Sequence, residues 1–291
     1  MRVALVGIKA KPEFKEFYTT LYKVFNQNGI ETLTYYLLRQ ELHRLGVHPE
    51  KDYAFRNAQE WDKVDLCISL GGDGTVLEAA RIVGSLEIPI LGINLGRLGF
   101  LATTTMDKLS ELVVLLQQRK YRMSARSLLQ LRSNKSIFVG YDFALNDFSL
   151  HKTNNSSMIT IHTWLNNIPL NSYWADGLII STPTGATGYS LSCGGPIITP
   201  DSNCFVITPV APHSLTARPL VIADHHEIKC TFEARSQTAL ASLDSRSELI
   251  GLDCEVSLKK APFKVLLVYF EENDFFGVLR NKLFWGMDKR N

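Results

Sequence analysis

The chain lacks an excess of charge of either sign. Its 31 Lys and Arg against 29 Asp and Glu leave a net +2 over 291 residues, too near neutrality for a bulk electrostatic hold on nucleic acid or an anionic membrane surface. Any phosphate it binds must be held locally. Cysteine is sparse and unpaired in pattern: Cys67, Cys193, Cys204, Cys230 and Cys254 form an odd set without a C-x-x-C, which argues against a disulfide framework or a cysteine-rich zinc site. No stretch approaches eighteen consecutive apolar residues, so a transmembrane helix is not expected. The opening Met1 to Ile8 meets Lys9 and Lys11 too early for a signal-peptide core and reads better as a buried first strand. These absences together describe a soluble, cytoplasmic protein.

Two nucleotide signatures are also missing. There is no G-x-x-x-x-G-K-[ST] and no G-x-G-x-x-G after a strand, so neither a P-loop nor an ordinary dinucleotide fold explains the chain. Charge itself is missing from one region: residues 153–217 carry two formal charges, Asp176 and Asp201. That region is rich in Asn, Ser, Thr and Gly, so it is neutral but polar.

What is present is enough apolar material, 45% of residues, for two domains that each bury a core. Up to about residue 125, short β-branched runs (Val3 to Val6, Val64 to Leu70, Ile90 to Asn94) alternate with helical patterns (Phe14 to Phe25, Val76 to Val83, and a helix capped by Asp107). This alternation predicts an α/β domain with a parallel sheet. From Arg126 to about residue 262 the pattern changes to short strands. They are Ile137 to Tyr141, Met158 to Leu165, Leu178 to Ser181, Phe205 to Ile207, Leu220 to Ile222, Glu227 to Phe232, Ala239 to Leu243 and Glu255 to Leu258. Such spacing predicts a β-rich, sandwich-like domain. The segment 263–291, with a strand at Val265 to Phe270 and a helical tail to Trp285, is expected to return to the first domain.

The sharpest local motif is Gly71-Gly72-Asp73-Gly74-Thr75, between a predicted buried strand and a helix. Glycines there let the backbone approach a ligand, and free amides at the helix start favour phosphate. Asp73 beside a phosphate raises the anion's cost unless it takes a proton from an attacking hydroxyl or helps hold Mg²⁺. A plain tight turn is the competing reading. In the glycine-rich segment Gly92 to Leu101, Phe100 is either core or a stacking surface for a base. Asn146-Asp147 offers paired donors and acceptors for ribose or amide groups, or simply makes a turn. Asp176 opens a strand that empties into a hydroxyl- and glycine-rich loop through Gly188, Tyr189 and Ser190. His162 and His213 read as structural, and Asp244 with Arg246 as an ordinary ion pair.

These motifs in this order resemble the NAD kinase family. The resemblance is carried by G-G-D-G-T at Gly71 to Thr75, L-G-F-L at Leu98 to Leu101, Asn146-Asp147, D-G-L-I-I-S-T-P-T-G at Asp176 to Gly185, G-G-P at Gly194 to Pro196 and P-H-S-L-T-A-R-P-L at Pro212 to Leu220. A family-like tail lies near Leu279 to Gly286. The resemblance implies phosphorylation of the adenosine-ribose 2′-hydroxyl of NAD, with ATP or another phosphoryl donor and a divalent metal, Mg²⁺, for which no protein ligand is assigned. It places NAD between an α/β and a β-rich domain and implies a homodimer or homotetramer. Residue by residue, Asp73 matches the general base, while Gly71, Gly72, Gly74 and Thr75 would lie beside substrate. Phe100 would neighbour the adenine. Asn146 and Asp147 would contact ribose or nicotinamide, Asp176 would anchor the nicotinamide side, and Thr187, Gly188, Tyr189, Ser190, Leu191 and Ser192 would line the adenosine pocket. Three places depart from the usual family pattern. Ala186-Thr187-Gly188-Tyr189 stands for S-T-A-Y, Trp174 for a basic residue, and Asp244-Ser245-Arg246 for D-G-Q. A lipid kinase sharing the G-G-D-G loop, or a catalytically silent nucleotide-binding regulator, are the rival classes; the Asn146-Asp147 and Asp176-Gly177 elements count against the first and retention of Asp73 against the second.

Overall fold

The computed structural model describes residues 1–49, 52–96, 99–153, 157–270 and 275–284. The chain forms two compact units. One takes Met1–Ala125 together with the segment from Val265 onward, and the other takes Arg126–Lys264.

In the first unit the strands are β1 (Arg2–Val6), β2 (Glu31–Tyr35), β3 (Asp52–Phe55), β4 (Leu66–Leu70), β5 (Ile90–Asn94), β6 (Thr104–Thr105) and β7 (Arg122–Arg126). The helices are α1 (Lys15–Gln27), α2 (Tyr36–Arg44), α3 (Asp73–Val83) and α4 (Leu109–Gln117). One sheet runs β3-β2-β1-β4-β5, with β6 beside β5; these pairings are all parallel. β4 and β5 are buried at every position, as expected of parallel strands covered on both faces. α1 presents Tyr18, Leu21, Tyr22 and Phe25 to the core at helical spacing.

The second unit contains β8 (Leu129–Ser133), β9 (Phe143–Ala144), β10 (Asp147–Lys152), β11 (Ile159–Leu165), β12 (Ile168–Ala175), β13 (Gly177–Ser181), the short helix α5 (Tyr189–Ser192), β14 (Cys204–Val210), β15 (Leu220–Ala223), β16 (Ile228–Glu233), β17 (Thr238–Leu243), β18 (Arg246–Gly251) and β19 (Val256–Lys260). They form two six-stranded sheets, β15-β14-β13-β10-β17-β18 and β12-β11-β16-β19-β8-β9. Their pairings are antiparallel, as in β10 with β13 and β17, and β11 with β12 and β16. One core draws Phe148, Ile180 and Phe205 from the first sheet and Ile161, Phe232 and Leu258 from the second. Burial alternates along strands such as β17, where Ala239, Ala241 and Leu243 face in, which is the pattern of a sandwich.

The chain then re-enters the first unit. β20 (Val265–Tyr269) pairs in parallel with β5, and α6 (Phe275–Leu283) follows, burying Val278 and Leu279. The α/β plus β-rich architecture expected from the sequence is the one found.

Local expectations fared unevenly. Ile137 to Tyr141 is a turn and not a strand, because Phe138 and Gly140 adopt φ of 49° and 83°, which no extended strand accommodates. The strand of that region is β8, and β2, α2, β3, β6, β7, β9, β10, β12, α5 and β18 also fall outside the expected elements. Asp107 lies inside a 3₁₀ turn, Met106–Lys108, that precedes α4, and Thr105 occupies its cap position. Arg97 and Leu98 of the glycine-rich segment, and Trp285 and Gly286 of the tail, lie outside the described residues.

Candidate functional site

β4 ends at Leu70, and the chain turns through Gly71 and Gly72 directly into α3, of which Asp73 is the first residue. The N–H groups of Thr75 and Val76 return to the Gly72 carbonyl at 2.9 and 3.3 Å. Gly72 and Gly74 are exposed, Asp73 and Thr75 half-buried. The turn sits at the carboxyl end of β4, where the strand order steps from β1 to β4, and open parallel sheets bind ligands outside the carboxyl ends of their strands at such a step. A cleft of about 960 Å³ among Tyr22, Ile30, Val47 and Tyr53 lies instead at the amino ends of β1 and β2, where this rule places no active site.

The Asp73 carboxylate is held by three consecutive amides. Oδ2 accepts from the Phe100 N–H at 2.9 Å, and Oδ1 accepts from Leu101 and Ala102 at 3.0 and 3.1 Å. Both lone pairs of Oδ1 are thereby used, and Oδ2 keeps one. Gly99 makes this approach possible: a Cβ there would lie 1.8 Å from Oδ1 and 2.6 Å from Cγ. Lys282 of α6 brings its ammonium to 3.8 Å from Oδ2 and 4.8 Å from the centre of the Phe100 ring. Phe100 is therefore neither buried core nor a bare platform, since one of its faces carries a cation.

In the second unit, Asn146 and Asp147 enter β10 beside the loop that follows β13. Thr182 N–H donates to the Asn146 carbonyl at 2.9 Å, and Thr182 Oγ1 donates to Leu145 O at 2.6 Å while accepting from Gly185 N–H at 3.1 Å. Gly185 packs against the Asn146 backbone so closely that a Cβ would stand 2.1 Å from its carbonyl oxygen. Asn146 is thus brought together with the Thr187 to Ser192 loop. Within that loop Thr187 and Gly188 are half-buried and Tyr189 is exposed, its ring stacked on His151 at 5.4 Å. Leu191 is half-buried and Ser192 exposed. Ser190 is fully buried, and its hydroxyl is engaged with Thr208 at 2.8 Å, so it shapes the loop from beneath. Asp176 meets Lys152 Nζ at 2.7 Å; the one acidic group of the charge-poor stretch near the loop is balanced by the last lysine before that stretch.

Asp244 and Arg246 are not the ordinary ion pair the sequence suggests. Asp244, at a positive φ of 51° in the turn between β17 and β18, accepts from the N–H groups of Leu145, Asn146 and Asp147 at 2.9, 2.8 and 3.2 Å. Arg246 donates to the carbonyls of Tyr141, Phe143 (2.7 Å) and Leu243 (3.2 Å). The two side chains clamp the strand entry that carries Asn146 and Asp147. The Asp147 carboxyl is buried, and desolvation, reinforced by the Asp244 charge, pushes its pKa up to about 7. Burial also raises Asp244, against which its three amide donors and Arg246 act. β18, Arg-Ser-Glu-Leu-Ile-Gly, shows no apolar alternation, and Asp-Ser is not one of the favoured hairpin pairs, so this clamp has no local signal in the sequence.

Comparison with known proteins agrees with the motif order. Residues 9–121 match the ATP-NAD kinase N-terminal domain and residues 145–270 the ATP-NAD kinase C-terminal domain. The NAD kinase of Cytophaga hutchinsonii is 44% identical over 283 residues, spanning 93% of this chain and 97% of that protein. That of Flavobacterium psychrophilum is 44% identical over 299 residues, spanning both chains completely. Among solved structures, the fold is shared with yeast NADH kinase complexed with NADH (TM-score 0.86, 23% identity, 99% of this chain and 89% of that one). It is shared also with an NAD kinase from Archaeoglobus fulgidus in complex with ATP (TM-score 0.73, 21% identity, 98% of each chain). The fold and its domain models define a kinase built from an α/β unit and an antiparallel β unit. The chain belongs to the NAD kinase family.

Proposed function

We propose that the chain transfers the γ-phosphoryl group of ATP to the 2′-hydroxyl of the adenosine ribose of NAD, giving NADP and ADP. The observation that carries this reading is the Asp73 carboxylate, fixed by the amides of residues 100–102 at the carboxyl end of β4. A bond forms between the ribose oxygen and the γ-phosphorus as the bond from that phosphorus to the β–γ bridging oxygen breaks. The hydroxyl proton passes to Asp73 Oδ2, the oxygen of that carboxylate with a lone pair to spare. Gly72 and Gly74, exposed at the start of α3, let phosphate approach the helix amides. Asn146 and Asp147 read the ribose or the nicotinamide amide, Asp176 lies toward the nicotinamide, and Tyr189 with Thr187 and Gly188 borders the adenosine. Relatives solved with NADH and with ATP support these ligand classes.

The divalent ion would be Mg²⁺, which commonly retains several waters beside substrate phosphates. Among the described residues no three His, Cys, Asp or Glu side chains cluster. With the spare lone pair of Asp73 Oδ2 given to the hydroxyl proton, the turn has no carboxylate lone pair left for the ion, which would be brought by the triphosphate and would offset its charge. Five unpaired cysteines fit a reducing cytoplasm, and among the described residues no helix is long and apolar enough to cross a membrane. Trp174, Leu215, Leu220 and Val221 leave apolar surface exposed on the second unit, Leu215 by 89%. We assign that surface to the interface of a homodimer or homotetramer. A coupled assay for NADP formation from the purified chain, NAD, ATP and Mg²⁺ tests the reaction. Product should appear and vanish on chelation, and absence of product with every triphosphate and with polyphosphate would refute it.

A further inference from the structure

The family-like tail contributes one group to the catalytic turn that no role above uses. On α6, Lys282 follows the buried Val278 by four residues and Leu279 by three, so it lies on the face the helix turns toward its own unit. Its side chain stays 35% exposed, so it reaches the turn from the edge of that face at little burial cost. Lys282 meets Asp73 Oδ2 at 3.8 Å and the Phe100 ring at 4.8 Å. The 3.8 Å separation is beyond hydrogen-bond length, so the ammonium is placed by its stem and the ring and is not locked onto the carboxylate. The oxygen it approaches is Oδ2, which accepts from the Phe100 amide alone and keeps one lone pair, whereas Oδ1 takes both Leu101 and Ala102.

A carboxylate at this turn poses an electrostatic problem, because the triphosphate must come within reach of a fixed negative charge. We propose that Lys282 is a positioning residue that solves it: its ammonium cancels the Asp73 charge toward the incoming triphosphate, while the three amides keep Oδ2 in place for the acceptor hydroxyl. This rests on the reaction proposed above. It makes the C-terminal helix part of the catalytic half of the first unit, and it explains why Phe100 presents a face to a cation rather than to the core.

The charge-cancelling role predicts coupling between the two residues. ATP binding in the presence of Mg²⁺ and without NAD is measured by calorimetry for the wild type, Lys282→Met, Asp73→Asn and the double variant. Lys282→Met is expected to weaken ATP binding at least tenfold in the wild-type background and less than threefold beside Asp73→Asn, where there is no carboxylate charge left to offset. Lys282→Arg, which retains the charge, should bind within about threefold of wild type. Equal weakening in both backgrounds, or no weakening in either, overturns the proposal. Lys282→Gln serves as a second neutral variant, and circular dichroism checks that each protein is folded. If the wild type forms NADP while Lys282→Met binds ATP normally, only this inference fails; if the wild type forms no NADP, the reaction itself fails.

Discussion

Gly99 and Asp73 are packed so tightly that a methyl group on Gly99 would stand 1.8 Å from Asp73 Oδ1. No rotation of the carboxylate that keeps its bonds to Leu101 and Ala102 relieves such a contact, so the absence of a side chain at 99 is what lets the three-amide cradle form. Gly99→Ala is therefore expected to act through Asp73. It should cut kcat by roughly 10²-fold, the scale of an ångström-sized misplacement of a catalytic group, with the fold retained. Steady-state kinetics beside a thermal melt checks this; unchanged kcat would mean that the cradle does not orient the base.

Removing the charge of Asp73 while keeping its shape isolates its chemistry. Asp73→Asn should bind NAD within about threefold of wild type and lose turnover by roughly 10²–10⁴-fold, the usual contribution of a general base. The amide retains an oxygen for the Leu101 and Ala102 donors but turns an NH₂ toward the Phe100 N–H, so a modest fall in melting temperature should accompany the loss. NAD affinity by calorimetry, set against kcat, separates the two effects. Substantial turnover in this variant would remove Asp73 from the role of proton acceptor.

The parts of this arrangement that the sequence revealed are those with strong local physics. β1, β4 and β5 are short continuous apolar runs, α1 repeats its large apolar residues at helical spacing, and glycines flank Asp73. Each of these is a property of neighbours in sequence. β2 and α2 escaped because the chain passes from strand to helix at Tyr35-Tyr36 without a glycine or proline to mark the change. The false strand at Ile137 to Tyr141 had the right composition, but Phe138 and Gly140 bend there, and nothing in an apolar pattern reports φ. The two clamps were the least legible. The Asp73 cradle spans 27 to 29 residues and the Asp244 cradle 97 to 99. In both cases the partners are backbone amides, which carry no residue signature.

Asp244 holds the amides of residues 145–147 much as Asp73 holds those of 100–102. Leaving such donors unpaired costs on the order of 1–3 kcal/mol each, and less than additively. Asp244→Ala is thus expected to lower stability by about 2–4 kcal/mol and to raise KM for NAD about tenfold or more, with KM for ATP within twofold because the Gly71 to Thr75 turn belongs to the other unit. Denaturant melts and two-substrate kinetics test this. A parallel rise in both KM values would mean that Asp244 acts on the whole fold and not on the strand entry at Asn146.

Asp147 gives the fold a pH signature. Its carboxyl is raised to about 7 by burial, with the Asp244 charge adding to the effect, against roughly 3.9 in an unfolded chain. Between those values the folded state holds a proton that the unfolded state has released, so stability falls as pH rises from about 4 to about 7, and the full penalty stands above 7. Asp147→Asn removes the titration while retaining the shape. The variant should gain melting temperature relative to wild type at pH 8 and gain little or nothing at pH 4, with the crossover between. An equal shift at both pH values would show that Asp147 is ionised throughout that range, and that the strand entry tolerates two buried negative charges side by side.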